Sequence, residues 1–135
     1  MSASLENITI LVVDDHADTR ELLRFVLEQS GASVTTVQSV DDAVESFRHC
    51  PAHAVVTDIR LGVSNGYALI KVIREINAEY RGFTPVIAIT GYASPEDEEQ
   101  AKAAGFCAYF SKPFNPAEVA DAIRIALSRP IDLAA

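Results

Sequence analysis

Short apolar runs alternate with longer segments of helical periodicity along almost the whole chain. Runs of four to six residues, rich in Val and Ile, are bounded by polar or turn-forming residues and predict β-strands. The segments between them are long enough to hold a crossover helix. The pattern therefore predicts five repeats of a strand followed by a helix. The predicted strands are Ile8 to Val13, Val34 to Val37, Ala54 to Thr57, Val86 to Ile89 and Ala108 to Ser111.

Three of the predicted helices carry signals of their own. In the second helix an apolar stripe at i, i+3, i+4 and i+7 follows Ser39, which is typical of an N-cap residue. Ser94 and Gly105 bracket a fourth helix with few apolar residues, which we expect to bury little. Asn115 and Pro116 are suited to begin the fifth helix. The stripe of the second helix consists of Val40, Ala43, Val44 and Phe47.

The strand composition predicts an α/β fold. Strands that are apolar on both faces belong in a parallel sheet covered by helices on both sides, and right-handed crossovers restrict its topology. Thr35 and Thr36 make the second strand the best edge candidate. We therefore predict a doubly wound five-stranded parallel sheet with the flavodoxin-like order 2-1-3-4-5. Residues 8–128 would form this domain, with an N-terminal extension at 1–7 and a short C-terminal tail at 129–135.

Charge and composition narrow the classes of partner and compartment. The chain has 135 residues and a formal net charge of −8, which disfavours direct binding to nucleic acid or an anionic membrane. Its apolar runs are too short to cross a bilayer, and its first residues lack the pattern of a secretion signal. The sequence thus predicts a cytoplasmic protein in which Cys50 and Cys107 are reduced thiols.

Acidic residues stand where two of the predicted central strands end. Asp14 and Asp15 follow the first strand, and Asp58 follows the third. In a doubly wound sheet the functional crevice lies outside the carboxyl ends of these strands. Two like charges about 4 Å apart repel by about 1 kcal/mol even in bulk water, so a cluster of carboxylates needs a counter-charge. A hard divalent cation such as Mg2+ is the natural candidate.

Two further strand ends supply other polar groups. Thr90 and Gly91 follow the fourth strand, and Lys112 and Pro113 follow the fifth. A hydroxyl, an ammonium and a metal-binding set of carboxylates are the groups that phosphoryl transfer uses, because that chemistry depends on positioning and on neutralising phosphoryl charge.

Together these strand ends resemble the receiver domains of two-component response regulators, including the chemotaxis-type regulator. The resemblance covers roughly residues 8 to 128. Each piece is weak alone, but their common order and their positions at strand ends make the combination specific. The pieces are Val12-Val13-Asp14-Asp15, Asp58 with Gly66 eight residues later, Thr90-Gly91 and Lys112-Pro113-Phe114.

The resemblance implies that Asp58 is the phosphoacceptor for the phosphohistidine of a histidine kinase or phosphotransfer protein. It also implies that Mg2+ is held by Asp15, Asp58 and the backbone carbonyl of Arg60, with Asp14 acting mainly through water. Lys112 would bridge Asp58 and the phosphoryl oxygens. In this family the domain catalyses only its own phosphorylation and dephosphorylation.

The resemblance further implies a conformational switch. Thr90 and the Gly91 amide would bind the phosphoryl oxygens, and the ring of Tyr109 would turn inward as Thr90 moves. That motion would reshape the face formed by helix four, strand five and helix five, through which family members contact a downstream protein, an output domain or a second copy. By the same resemblance, the peptide bond between Lys112 and Pro113 is expected to be cis.

Other classes stay open on the sequence alone. A flavodoxin-like electron carrier or an aspartate-nucleophile phosphohydrolase would share much of the architecture, and a receiver-like module that is never phosphorylated would share all of it. His49, Cys50 and His53 lie close together and suggest a metal site, although no second pair of ligands follows at zinc-like spacing.

Overall fold

The computed structural model describes residues 4–61, 64–80, 82–91 and 94–128. Its main sheet has five parallel strands in the order β2-β1-β3-β4-β5. This confirms the predicted fold class and strand order, with β2 at one edge. The strands are β1 (Thr9–Val13), β2 (Ser33–Val37), β3 (Ala54–Asp58), β4 (Val86–Thr90) and β5 (Ala108–Ser111).

A helix follows each strand, and the helices cover both faces of the sheet. Buried residues of α1 and α5 share one hydrophobic cluster, whereas those of α2, α3 and α4 share the other. The helices are α1 (Ala17–Gln29), α2 (Val40–His49), α3 (Gly66–Tyr80), α4 (Pro95–Ala104) and α5 (Pro116–Ser128).

The strand alternation explains why both faces must be covered. Along β1, Ile10 and Val12 enter the cluster beneath α1 and α5, while Leu11 and Val13 enter the cluster beneath α2 and α3. All four are at most 2% exposed. A strand that is apolar at consecutive positions can be buried in this way only between two helical layers.

The helix caps behave largely as the sequence predicts. The Ser39 side chain accepts a hydrogen bond from the Asp42 amide at 3.1 Å, and Ser94 forms a reciprocal capping box with Asp97. Gly105 ends α4 in the left-handed region, at φ 106°. Ala101 is the buried residue of α4, which confirms that this helix buries little.

Some local features differ from the expectation. Asp58 and Thr90 are the last residues of their strands and do not follow them, because the parallel ladders extend to the pairs Asp58 with Ile89 and Thr90 with Ser111. A two-residue antiparallel ladder joins Arg60–Leu61 to Ser64–Asn65, and the sequence pattern did not predict it.

Part of the segment predicted to precede the domain packs into the hydrophobic core. Leu5, assigned from sequence to the N-terminal extension, is 3% exposed within the cluster beneath α1 and α5. The predicted tail at 129–135 lies outside the described residues. No helix in the described ranges is both long and apolar enough for a bilayer.

A polar network closes the amino end of β4. Asn77 on α3 donates from Nδ2 to Thr84 Oγ1 at 3.0 Å, and its Oδ1 accepts from the Thr84 amide at 3.2 Å and from Arg74 Nη1 at 3.0 Å. Arg74 also donates to the Thr84 carbonyl at 2.8 Å, and its guanidinium lies over the Phe83 ring. These buried polar groups therefore satisfy one another.

Candidate functional site

Two of the predicted acids lie side by side at the carboxyl edge of the sheet. Asp14 immediately follows β1, and its amide donates to the Val37 carbonyl at 3.1 Å. Asp58 ends the neighbouring strand β3. Asp14 is fully buried and Asp58 is 4% exposed. Burying two carboxylates costs free energy unless they are paired, so this edge needs positive charge.

Lys112 supplies part of that charge. Its Nζ lies 2.9 Å from Asp14 Oδ2 and donates to Asp58 Oδ2 at 2.9 Å. The lysine is brought there because its amide donates to the Thr90 carbonyl at 2.7 Å, which ties the end of β5 to the end of β4. The Lys112–Pro113 peptide bond is cis, as the resemblance implied.

The pKa values of Asp58 and Lys112 are both raised, but for different reasons. Burial raises the pKa of Asp58 above its ordinary value, and this outweighs the hydrogen bonds from Lys112 and the Arg60 amide. Burial lowers the pKa of Lys112, but its hydrogen bonds to Asp58 and Asp14 outweigh that effect and raise it. The lysine therefore stays charged while the buried carboxylate is destabilised, so one ammonium does not fully compensate the acids.

The Asp14 carboxylate shows the same shortage of positive charge. Its buried Oδ2 has the Lys112 ammonium as its partner at 2.9 Å, and the same ammonium is shared with Asp58. One ammonium between two buried carboxylates leaves negative charge uncompensated, so this cluster can accept a further cation. Carboxylate oxygens are the donors that Mg2+ prefers, and the residues present therefore fit that ion.

Asp15 and His16 complete the acidic cluster. One ligand atom each from Asp14, Asp15, His16 and Asp58 can be chosen so that all four lie within 4.8 Å of one another. His16 Nδ1 is 3.1 Å from Asp14 Oδ1 and 3.0 Å from Asp15 Oδ1. Our sequence reasoning missed His16, and its position directly after two predicted ligands is the signal that could have found it.

The backbone after Asp58 is held by close contacts. The Arg60 amide donates to Asp58 Oδ1 at 3.0 Å, and the Gly66 amide donates to the Ile59 carbonyl at 2.8 Å. A Cβ at Gly66 would lie 2.9 Å from the Asp58 carbonyl oxygen. Glycine is thus needed here because the chain returns directly against the end of β3.

The residues predicted to sense the phosphoryl group lie on the neighbouring strands. Thr90 is 1% exposed at the end of β4, and the following residue, Gly91, is exposed. Tyr109 on β5 is partly buried against the cluster of α2, α3 and α4. Its burial, followed by the nearby negative charge of Asp97 on α4, raises the pKa of its phenol.

The alternative metal site receives no support. His53 Nδ1 lies 2.9 Å from the Thr9 amide, which donates to it, so this ring fastens the loop before β3 to the start of β1. Within the described ranges, the group of potential metal ligands contains none of His49, Cys50 and His53.

Comparison with known proteins decides the family. The chain matches the response regulator receiver domain over residues 10–124. It belongs to that family. This confirms the resemblance inferred from the strand ends, and it identifies the chain as a signalling domain of the two-component type.

Individual relatives agree with this assignment. The chain is 39% identical over 117 residues to an uncharacterized 14.6 kDa protein from the sodA1 3′ region of Leptolyngbya boryana, covering 86% of this chain and 87% of that protein. It is 31% identical over 125 residues to response regulator Rre1 of Synechocystis, covering 92% of this chain and 53% of Rre1.

A solved structure shows the same fold. The BeF3-activated DrrB receiver domain superposes with a TM-score of 0.80 at 30% identity, covering 90% of this chain and 98% of that domain. The chain matches seven curated relatives, Rre1 among them, that are longer than it, and it spans 17% to 53% of their length.

Proposed function

We propose that this receiver domain accepts a phosphoryl group on Asp58 from the phosphohistidine of a histidine kinase or phosphotransfer protein, in a Mg2+-dependent reaction in the cytoplasm. The observation that carries the proposal is the position of Lys112, whose ammonium lies 2.9 Å from oxygens of both Asp14 and Asp58 at the sheet edge. A cation held against the acceptor carboxylate is placed to neutralise an incoming phosphoryl group.

In the transfer, a carboxylate oxygen of Asp58 forms a bond to phosphorus as the phosphorus–nitrogen bond of the phosphohistidine breaks. The electron pair of the broken bond stays on the imidazole nitrogen, so the kinase histidine is released and an acyl phosphate remains on Asp58. The Arg60 amide, which donates to Asp58 Oδ1, leaves Oδ2 beside Lys112 as the oxygen to be modified. The Lys112 ammonium then forms an ion pair with the phosphoryl oxygens, which carry the negative charge after the transfer.

The acidic cluster fits the metal that this chemistry requires. Asp15, Asp58 and the backbone carbonyl of Arg60 would hold Mg2+, with Asp14 contributing through water. When bound, the ion offsets the negative charge shared between the carboxylates and the phosphoryl oxygens. Lys112, which lies 2.9 Å from oxygens of both Asp14 and Asp58, positions the acceptor carboxylate whether or not the ion is present.

The same proposal covers the switch and the partners. Thr90 and the Gly91 amide would bind the phosphoryl oxygens, which requires a shift at the end of β4. The Lys112 amide is hydrogen-bonded to the Thr90 carbonyl, and β5, which contains Tyr109, ends directly before Lys112. A shift of Thr90 would therefore be passed through β5 to the face formed by α4, β5 and α5. A downstream protein, an output domain or a second phosphorylated copy would bind that face. Phosphorylation would act by favouring one of two packings.

The test is incubation with Mg2+ and a small phosphodonor, followed by intact-mass analysis. We expect uptake of one phosphoryl group by the wild type and none by Asp58→Ala. Asp41→Ala, which removes an exposed acid in the first turn of α2, is the matched control and should be modified like the wild type. Continuous release of phosphate from the donor without an aspartyl phosphate, or equal labelling of Asp58→Ala, would contradict the proposal.

A second measurement separates phosphorylation from the switch. The DrrB receiver domain was solved in a BeF3-activated form, and the same phosphoryl mimic can be added to this chain with Mg2+. Amide chemical shifts of α4 and β5 should change in the wild type but much less in Tyr109→Ala, while both variants still take up the phosphoryl group. Identical shift changes in the two proteins would remove Tyr109 from the switch.

A further inference from the structure

Tyr67 lies one residue beyond the backbone that presses against the acceptor. It belongs to the first turn of α3 and follows Gly66, whose amide donates to the Ile59 carbonyl at 2.8 Å. A Cβ at Gly66 would lie 2.9 Å from the Asp58 carbonyl oxygen, so no free space separates the end of β3 from the start of α3. Because close-packed protein interiors transmit strain, a displacement at Asp58 must also move the first turn of α3.

The ring of Tyr67 connects this turn to the carboxyl-terminal end of α4. It packs edge to face against Phe106, with the ring centroids 5.7 Å apart and an interplanar angle of 82°. Aromatic rings attract each other in this arrangement. Phe106 is 5% exposed, and its amide donates to the Ala101 carbonyl of α4 at 3.1 Å. Tyr67 therefore contacts the residue to which the end of α4 is hydrogen-bonded.

The phenol of Tyr67 lies near the first turn of α4. Burial, and after it the negative charge of Asp97, raises the pKa of Tyr67. The pKa of Tyr109 is raised by its burial and then by Asp97 and Tyr67, so these three side chains lie near one another. Asp97 is also part of the capping box that begins α4, since its amide donates to Ser94 Oγ at 3.1 Å. Tyr67 is thus close to both ends of this helix.

These contacts carry weight because α4 packs weakly. Ala101 is the buried residue of this helix, whereas Tyr67 and Phe106 belong to the hydrophobic layer between α4 and the sheet. An element with few packed residues is repositioned easily when one of its contacts moves. A small movement of the Tyr67 ring is therefore enough to change how α4 packs.

We propose that Tyr67 is a positioning residue of the switch and couples the end of β3 to α4 by a route that bypasses Thr90 and Tyr109. The inference rests on the proposed function and deepens it, because it adds a second connection between the acceptor and the face formed by α4, β5 and α5. When Asp58 is modified, the shift of β3 passes through the start of α3 to the Tyr67 ring. The helix α4 then adopts the packing that fits the new position of the ring.

The competing explanation is that Tyr67 only fills space in the core. In that case its removal would lower the free energy of unfolding and change the resting amide signals of α4, yet these signals would respond to activation as fully as before. The size of the response, and not the resting spectrum, therefore distinguishes the two explanations.

The experiment measures amide chemical shifts of the full chain with Mg2+, before and after addition of the phosphoryl mimic BeF3. Tyr67→Leu keeps an apolar side chain but removes the aromatic pair, and Tyr67→Phe keeps the ring. The control Tyr80→Leu removes an exposed tyrosine at the end of α3. Residues on a coupling route change the balance between two packings by about 2-fold or more, so the response of residues 101–104 should fall at least about 2-fold in Tyr67→Leu.

The other signals define the specificity of this effect. The responses of Thr90 and β5 should persist in Tyr67→Leu, Tyr67→Phe should restore most of the α4 response, and the control should behave like the wild type. An α4 response in Tyr67→Leu equal to that of the wild type would overturn the inference. Equal losses in α4 and β5 would do the same, because they would show a general defect and not a separate route.

A second arm needs no phosphoryl group or mimic. The added Cβ of Gly66→Ala displaces the backbone at the end of β3, which should shift the amide signals of residues 101–104. The same substitution in the Tyr67→Leu background should shift them much less, measured against Tyr67→Leu alone. Double-mutant cycles of this kind isolate the coupling between two positions. Equal shifts in the two backgrounds would refute the route through Tyr67.

The two arms separate this inference from the proposed function. Phosphoryl uptake on Asp58 with an undiminished α4 response in Tyr67→Leu would overturn the route through Tyr67 alone. A chain that takes up no phosphoryl group, but in which the effect of Gly66→Ala on α4 depends on Tyr67, would support the route and contradict the proposed function.

Discussion

At the amino end of β4, the buried side chains of Asn77 and Thr84 are saturated with hydrogen bonds to each other and to Arg74. At the carboxyl edge of the same sheet, the buried Asp14 and Asp58 share the single ammonium of Lys112, which leaves the charge of this cluster unsaturated, and burial raises the pKa of Asp58. Both regions bury polar groups between the same layers. A saturated network stabilises the fold, whereas an unsaturated cluster is a place where a ligand can contribute free energy.

The largest effect on stability is expected at the amino end of β4, where the hydrogen-bond network is saturated. Asn77→Ala removes three side-chain hydrogen bonds and leaves the buried Thr84 amide without its partner, which should lower the free energy of unfolding by about 3 kcal/mol. Urea denaturation measures this. The exposed substitution Gln100→Ala on α4 should change stability by less than about 0.5 kcal/mol. A loss of similar size in both variants would mean that the Asn77 network contributes no more to stability than an exposed side chain does.

At the unsaturated edge, stability should respond to metal. Mg2+ at about 100 times its Kd should raise the free energy of unfolding by about 2.7 kcal/mol. Thermal unfolding with and without Mg2+ measures the gain, which should remain in Asn77→Ala and be largely lost in Asp15→Asn. An equal gain in Asp15→Asn would place the ion elsewhere and break the comparison between the two edges.

Gly66 lies directly against the backbone of the acceptor Asp58, so Gly66→Ala should affect both stability and phosphorylation. The added Cβ would meet the Asp58 carbonyl oxygen at 2.9 Å, and relieving such overpacking typically costs about 1 to 3 kcal/mol. Phosphoryl uptake should slow because the end of β3 must shift. Gly82→Ala is the control, since a Cβ there meets no atom within 4 Å. Normal uptake and stability in Gly66→Ala would refute the close contact.

The smallest expected effect has the opposite sign. Asp14→Asn removes one of the clustered like charges, so the metal-free protein should become more stable by about 1 kcal/mol. Its gain from added Mg2+ should shrink at the same time. Glu75→Gln, an exposed neutralisation on α3, is the control for net charge and should change neither quantity. A less stable Asp14→Asn in the absence of metal would show that the Lys112 ion pair already balances the site.

Local patterns predicted the parts of the molecule that depend on residues close in sequence. The stripe of α2, the capping box at Ser94 and the helix end at Gly105 each follow from a few consecutive positions. The carboxyl-edge site was predictable as well. Parallel strands bring their ends to one edge, so Asp14, Asp58 and Lys112 were placed together by topology.

Features that depend on distant or unusual pairings were not predictable. Arg74 reaches Gly105, which lies 31 positions away, and no local pattern marks that contact. His16 stands at a cap position that propensity assigns to other residue types, and its place directly after Asp14 and Asp15 is the only sequence signal that marks it. The short ladder between Arg60–Leu61 and Ser64–Asn65 pairs only two residues on each side, which is too short for the apolar and polar alternation that predicts a strand.

The shallow burial of α4 has a consequence for how the molecule moves. Every residue of this helix is described, and Ala101 is the one that is buried, so α4 contributes little apolar area to the core. Local opening costs least where few contacts must be broken, and the backbone amides of α4 should therefore exchange with deuterium well before those of α3. A helix that detaches cheaply is also one that a docking protein can reorient at little energetic cost.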